Sequence, residues 1–275
     1  MDSDKLLSAL IILVLVAAFI TALAAPLLPS DDDRVVKENF TLEKTGASDV
    51  KYVNLDIESN ATGVLLAFTK NSGNVYNIET ERDEGSVAPS VNHTVDGENL
   101  NINVKMDGGA ARVLLSNEYT YNITIRSKVG GFTAILSNDS RIDTLNSTIE
   151  YAGGGTLVIG RTAFKNISMS VNTRGFYITE TQPDIQGNGS IYTDVNIGGT
   201  TLAMNKLRNL RIMADVDYGG ISFEPRGFNV ISNRTGHLEM EGDSYRTADS
   251  RVDIINRVGL GGFSMIPYML PFGFQ

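Results

Sequence analysis

Between Leu100 and about Pro225 apolar and polar residues alternate in short runs, and one pattern returns six times: an alternating strand, a glycine or glycine pair, then a second alternating strand. The landmarks are Gly109, Gly130, Gly154, Gly198 and Gly219, with Arg174-Gly175 in the same slot between Gly154 and Gly198, at intervals of 21, 24, 20, 24 and 21 residues. Side chains two apart share a strand face. Seven before each landmark stand Ile102, Ile123, Ser147, Ile167, Ile191 and Ile212, and five before stand Val104, Ile125, Ile149, Met169, Thr193 and Ala214. Three before are Met106, Ser127, Tyr151, Val171, Val195 and Val216; four after are Val113, Ala134, Val158, Ile178, Leu202 and Phe223. Of these 24 positions 21 are apolar, in a chain only 42% hydrophobic, so the columns predict one shared interior.

A fixed period of this length marks stacked repeats. One unit of about 22 residues with some four inward side chains cannot repay its own ordering and needs neighbours on both sides. The glycines suit sharp corners. The pattern therefore predicts an all-β fold, a β-solenoid of repeated strand rungs. An antiparallel sandwich with evenly spaced hairpins is the competing architecture. Val53 to Ile57, Val64 to Phe68 and Val75 to Ile78 read as opening strands that cap the ladder, and Glu81 to Asp96 as a surface loop. Val230-Ile231 and Leu238 to Met240 read as closing strands.

The runs Asp96-Gly97-Glu98-Asn99-Leu100-Asn101-Ile102, Tyr121-Asn122-Ile123-Thr124-Ile125 and Val129-Gly130-Gly131-Phe132 resemble the toastrack, or adhesin-type β-strand-repeat, family (DUF4097-like) over roughly residues 50 to 240. The resemblance implies a β-solenoid-like fold on envelope proteins, with no agreed active site to carry over.

Leu6 to Leu28 is free of charge for 23 residues, long enough for one N-terminal transmembrane helix, and is flanked by Asp2, Asp4 and Lys5 and by Asp31-Asp32-Asp33-Arg34. It reads as a membrane anchor, or else as a signal peptide cut near Ala22-Leu23-Ala24. The domains expected are a cytoplasmic stretch at 1–5, the anchor at 6–28, an acidic linker at 29–39, an extracytoplasmic β-repeat domain at 40–257 and an apolar tail at 258–275. The tail holds no charge in its 18 residues and reads as a hydrophobic cap on the last rung or a docking strip.

Asn-x-Ser/Thr sequons occur at Asn39, Asn60, Asn92, Asn122, Asn138, Asn146, Asn166, Asn188 and Asn233, all beyond the apolar run. Chance would give about four from this composition. Asn122, Asn146 and Asn166 each fall eight before a landmark, a position of outward parity, so a glycosylated solvent face is expected, although asparagine also populates exposed strand faces and turns.

Net charge is −9 with basic residues scattered, which argues against nucleic acid as a partner. The absence of cysteine excludes disulfides, thiolate metal sites and thiol nucleophiles. The two histidines, His93 and His237, make a histidine metal site or a Ser-His-Asp triad improbable, and no nucleophile elbow or phosphate-binding glycine loop is present. No cofactor is expected. Asp215 and Asp217 share a strand face, as weak calcium candidates would, with Glu224 a possible third donor; a solvated acidic strand end explains them as well. The outward column Lys105, Arg126, Glu150, Ser170, Asp194, Asp215 is mixed in sign.

These features point to a non-enzymatic, membrane-anchored, outward-facing surface protein, structural or adhesin-like, archaeal in composition. Its partners would be the membrane through Leu6 to Leu28 and a cell-wall glycan or surface protein. The alternative is an extracytoplasmic carbohydrate-active β-helix enzyme, a lyase or glycosidase, using Asp194, Asp215 and Asp217.

Overall fold

The alternation seen in the sequence becomes strand almost throughout. The computed structural model describes residues 35–70, 72–181, 188–204, 209–225 and 227–266. Its strands are β1 (Val35–Glu43), β2 (Tyr52–Thr69), β3 (Asn74–Asp83), β4 (Ser90–Asp96), β5 (Asn99–Ser116), β6 (Thr120–Leu136) and β7 (Ser140–Ile159). They continue with β8 (Thr162–Glu180), β9 (Gly189–Ala203), β10 (Leu210–Phe223), β11 (Phe228–Arg234), β12 (His237–Gly242) and β13 (Val252–Ile266). All 13 belong to one sheet, in the order β1-β3-β5-β2-β6-β7-β8-β9-β13-β10-β12-β11, with β4 also on β5.

Eight of them, β5-β2-β6-β7-β8-β9-β13-β10, run parallel. The links between successive rungs are very short: Leu136 is followed by β7 at Ser140, and Ile159 by β8 at Thr162. A straight strand of β7's length would span roughly 65 Å, whereas such a link reaches only about 10 Å. Each rung must therefore bend back on itself. The bends fall at a column of left-handed residues: Gly109, Gly130, Gly153, Arg174, Gly198, Gly261 and Gly219. At Gly198 a Cβ would stand 1.5 Å from the Arg174 carbonyl oxygen, so the corner demands glycine for its conformation and for the approach of the neighbouring backbone.

Inside the stack the expected columns are present. Ile102, Leu55, Ile123, Leu145, Ile167, Ile191, Ile254 and Ile212 lie side by side across the eight rungs and all are buried. They belong to one continuous core running from Ala47 to Met265. On the second half of the rungs Phe132 and Phe176 flank Gly155, their ring centroids 6.3 Å apart, so large and small residues alternate along the stack.

Several sequence expectations change. The third corner is Gly153, not Gly154, and β7 carries an irregularity between Ile149 and Ala152. The register therefore shifts by two before the bulge, where Leu145 rather than Ser147 aligns with Ile123 on the same buried face, and parity slips beyond it: Tyr151 is 53% exposed, and Leu157 is buried where Val158 was expected. β2 does not cap the ladder; it lies between β5 and β6, and the capping falls to β1, β3 and β4. Val35 to Asn39 begin β1 rather than ending a linker, and Glu81 to Asp83 and Ser90 to Asp96 are strand rather than loop.

The largest change concerns the tail. Val258 to Ile266 are the second half of β13, which is inserted between β9 and β10 and paired on both sides, so they neither cap a rung nor form a free docking strip. Residues 267–275 and the expected anchor at Leu6 to Leu28 lie outside the described residues. Among the described residues no helix is long and apolar enough to cross a membrane.

Candidate functional site

Insertion of β2 and β13 changes the outward face as well as the core. The outward row through the rungs reads Lys105, Glu58, Arg126, Thr148, Ser170, Asp194, Arg257, Asp215 and His237. Glu58, from β2, stands between two cations, 3.5 Å from Lys105 and 3.2 Å from Arg126; Arg126 also meets Asp56 at 2.8 Å. Arg257, from β13, stands in register between Asp194 and Asp215. Thr148 occupies the place expected for Glu150 because of the slip in β7. What reads in the sequence as a mixed column is an alternating row in which both intruding strands bring the opposite charge.

The three carboxylates singled out in the sequence are therefore separated or engaged. Asp194 and Asp215 lie two strands apart, with Arg257 between them. An Asp215 carboxylate oxygen is 2.7 Å from His237 Nδ1, and Asp217 lies 4.0 Å from Arg257. Among the described residues there is no group of three or more metal-type ligands. Glu224 is exposed, just beyond the end of β10. His93, on β4, has its Nδ1 3.0 Å from the Tyr76 hydroxyl.

A shallow groove of about 330 Å³ lies over the first halves of β2, β5 and β6, and its polar wall is Asn54, Asp56, Asn101, Asn103, Asn122 and Thr124. A side-chain ladder runs along it: Asn122 donates to Asn54 at 3.0 Å, Asn54 to Asn101 at 2.9 Å, and Thr144 to Asn122 at 3.0 Å. Amides fixed in this way offer both donors and acceptors to a neutral polar ligand. Sequence reading identified Asn122 as a sequon but not this ladder, because Asn54 arrives on the intercalated β2.

None of the nine sequon asparagines is buried. Asn39, Asn60, Asn92, Asn146, Asn166, Asn188 and Asn233 are exposed, while Asn122 and Asn138 are half-buried. Asn138 donates to the Phe68 carbonyl at 2.6 Å from a left-handed turn that it forms with Asp139. Asp139 is held well below the usual carboxylate range, at about 2, by its bond to Arg161 and then by Lys70 at 2.6 Å.

No family model matches the chain, and no curated protein does. Among solved structures, one named "putative cell adhesion protein" from Clostridium sporogenes is similar with a TM-score of 0.52 and 12% identity, covering 84% of this chain and 99% of that one. A "putative adhesin" from Bacteroides fragilis covers 86% and 99% with a TM-score of 0.33 at 11% identity. A "putative lipid binding protein" from Parabacteroides distasonis covers 85% and 97% with a TM-score of 0.28 at 11% identity. The first likeness is one of fold, and it is the β-rich repeat fold that the toastrack resemblance implies; the other two are too loose to support an argument.

Proposed function

We propose that this chain is a membrane-anchored cell-surface protein, structural or adhesin-like, N-glycosylated and non-enzymatic, whose β-solenoid holds an outward polar face away from the membrane. The observation that carries the reading is the outward row. Lys105 and Arg126 are paired with Glu58 and Asp215 is bonded to His237 across rungs, and the surface beside the row is a shallow asparagine-lined groove rather than a deep cleft with converging acids and bases. Such a face suits weak, repeated contacts with neutral polar chains, such as a cell-wall glycan, better than turnover. The fold-level likeness to a "putative cell adhesion protein" supports the same direction. The uncharged run Leu6 to Leu28 would supply the anchor, with the N-terminus inside and the β-repeat domain outside. The archaeal assignment rests only on sequon density in a chain without cysteine.

A glycan array probed with the full chain tests the binding claim. Asn54→Ala with Asn101→Ala should abolish whatever neutral glycan binding the native chain has. Binding that persists undiminished in the double variant would remove the groove from the account. Turnover of an oligosaccharide that disappears in Asp215→Asn would remove the non-enzymatic reading itself.

A further inference from the structure

The sheet is open, and because each rung is bent, each end of the stack presents two half-edges. At the N-terminal end they are β4 and β1, and at the C-terminal end one is β11. Each of these three strands carries an exposed sequon asparagine: Asn92, Asn39 and Asn233. The fourth half-edge differs. β12 pairs with β10 only over Arg211 to Asp215, with Gly236 accepting from the Val216 N–H. Beyond that point, among the described residues, Asp217 to Phe223 has β13 on one side and no strand on the other. This half-edge has no sequon and no charge from Tyr218 to Phe223, and Tyr218 is 74% exposed. Ile221 and Phe223, in register with the buried Phe263 and Met265, are only partly covered.

A second observation, independent of exposure, indicates what would sit there. From β7 to β9 the second corner glycine leaves room for the carbonyl oxygen of the next rung, whereas at Gly63 on β2 a Cβ would meet nothing although β6 lies beside it. A Cβ at Gly154 would stand 2.4 Å from the Gly175 oxygen, one at Gly175 1.6 Å from the Gly199 oxygen, and one at Gly199 2.6 Å from the Gly262 oxygen. At Gly220, the last in the series, a Cβ would meet nothing within 4 Å. Among the described residues nothing requires glycine there, yet the slot that receives an incoming parallel backbone is kept.

We propose that the Asp217–Phe223 half-edge is a strand-addition site, which takes an uncharged extended segment of another polypeptide as a further parallel half-rung. The incoming strand would donate and accept along the free backbone edge, place its carbonyl in the Gly220 slot, and lay alternate apolar side chains over Ile221 and Phe223. By the corner geometry of the stack it would carry glycine opposite Gly219, whose own Cβ position lies 1.6 Å from the Gly261 oxygen. End-to-end stacking of copies fits less well, because the corresponding half-edge at the other end, β1, presents Lys37, Glu38 and the Asn39 sequon.

The probe is a synthetic peptide of residues 252–266, the sequence that already lies parallel on the far side of β10 and contains the required Gly261-Gly262 corner. Its binding to the purified full chain is followed by fluorescence anisotropy, with the mass of the chain measured in parallel. The native chain should bind it, and Gly220→Val, whose Cβ would meet nothing within 4 Å among the described residues, should keep the native melting temperature while weakening binding at least ~10-fold. Absence of binding, or equal binding by Gly220→Val, overturns the proposal. Self-association of the native chain that is lost in Gly220→Val would assign the edge to a second copy instead. Binding seen only after removal of residues 267–275 would assign it to the chain's own C-terminus. Either of these results overturns the proposed occupant.

Discussion

Arg174 is the one residue with a Cβ in the column of seven left-handed corners, at φ +100° and exposed. An L side chain in this region costs roughly 1–2 kcal/mol relative to ordinary backbone. Replacing it with glycine removes that strain but gives the unfolded chain more freedom, which offsets roughly 0.5–1 kcal/mol. The balance for Arg174→Gly is a gain of roughly 0.5–1 kcal/mol. For a domain of this size 1 kcal/mol corresponds to about 2–4 °C, so the melting temperature should rise by about 1–4 °C. The opposite arm is Gly198→Ala, whose methyl group would lie 1.5 Å from the Arg174 carbonyl oxygen and must push two rungs apart. That change should cost at least ~3 kcal/mol. Thermal unfolding followed by circular dichroism, with urea midpoints as a check, measures both variants. Arg174→Gly melting at or below the native temperature, or Gly198→Ala melting with the native chain, would refute the argument that these corners are left-handed and in backbone contact.

Other outcomes follow from the packing and the charges. Gly155→Ala puts a methyl group 2.3 Å from the Phe132 ring and should lower the urea midpoint by the equivalent of about 1–3 kcal/mol, with Phe132→Leu partly restoring it. Tyr121 is buried, and its hydroxyl donates to the Ser116 carbonyl at 2.5 Å; burial pushes the phenol up, so spectroscopic titration should show it ionising only as the chain unfolds. Tyr121→Phe should cost about 1 kcal/mol, and a native-like melt would contradict that bond. Asp139 is depressed to about 2, so its contribution is present above the ordinary carboxylate value and is lost as pH falls through about 2. Asp139→Asn should therefore flatten the acid side of the stability curve between about pH 4 and pH 2, and an unchanged curve would contradict the Arg161–Lys70 clasp. Intact mass of the native protein should exceed the 29.8 kDa of the polypeptide by whole glycan increments, most simply at the seven exposed sequons; a bare polypeptide mass would remove the glycosylated exterior.

The repeated interior was legible because inward side chains recur at fixed offsets from a glycine: Ile102, Ile123, Ile167, Ile191 and Ile212 fall in one buried row. Ser147 points inward as expected but lies beside Ile125 and not Ile123, because the corner falls at Gly153 and β7 takes up one extra residue between Ile149 and Ala152, and strand periodicity cannot reveal where a bulge will fall. The two intercalated strands were not legible for a different reason. Val258 to Phe263 contains the same Gly-Gly-Phe corner as Gly130-Gly131-Phe132, yet its neighbours are chosen by long-range pairing and not by position in the chain. β2 carries Thr62-Gly63 at its corner, the same form as Arg174-Gly175, but it falls out of step with the spacing of 20 to 24 residues that marks the other corners. The outward row depended on those insertions. With β2 and β13 left out, Asp194 and Asp215 look like neighbours and Lys105 and Arg126 look unpaired.

The absence of cysteine permits a direct test of that arrangement. Adjacent strands are about 4.8 Å apart, within reach of a disulfide, whereas strands two apart, at about 9.6 Å, are beyond it. Under mild oxidation the pair Asp194→Cys with Arg257→Cys should close to a disulfide, mapped by peptide mass, and Asp194→Cys with Asp215→Cys should stay reduced. Closure of the second pair with failure of the first would place β9 directly beside β10 and contradict the account.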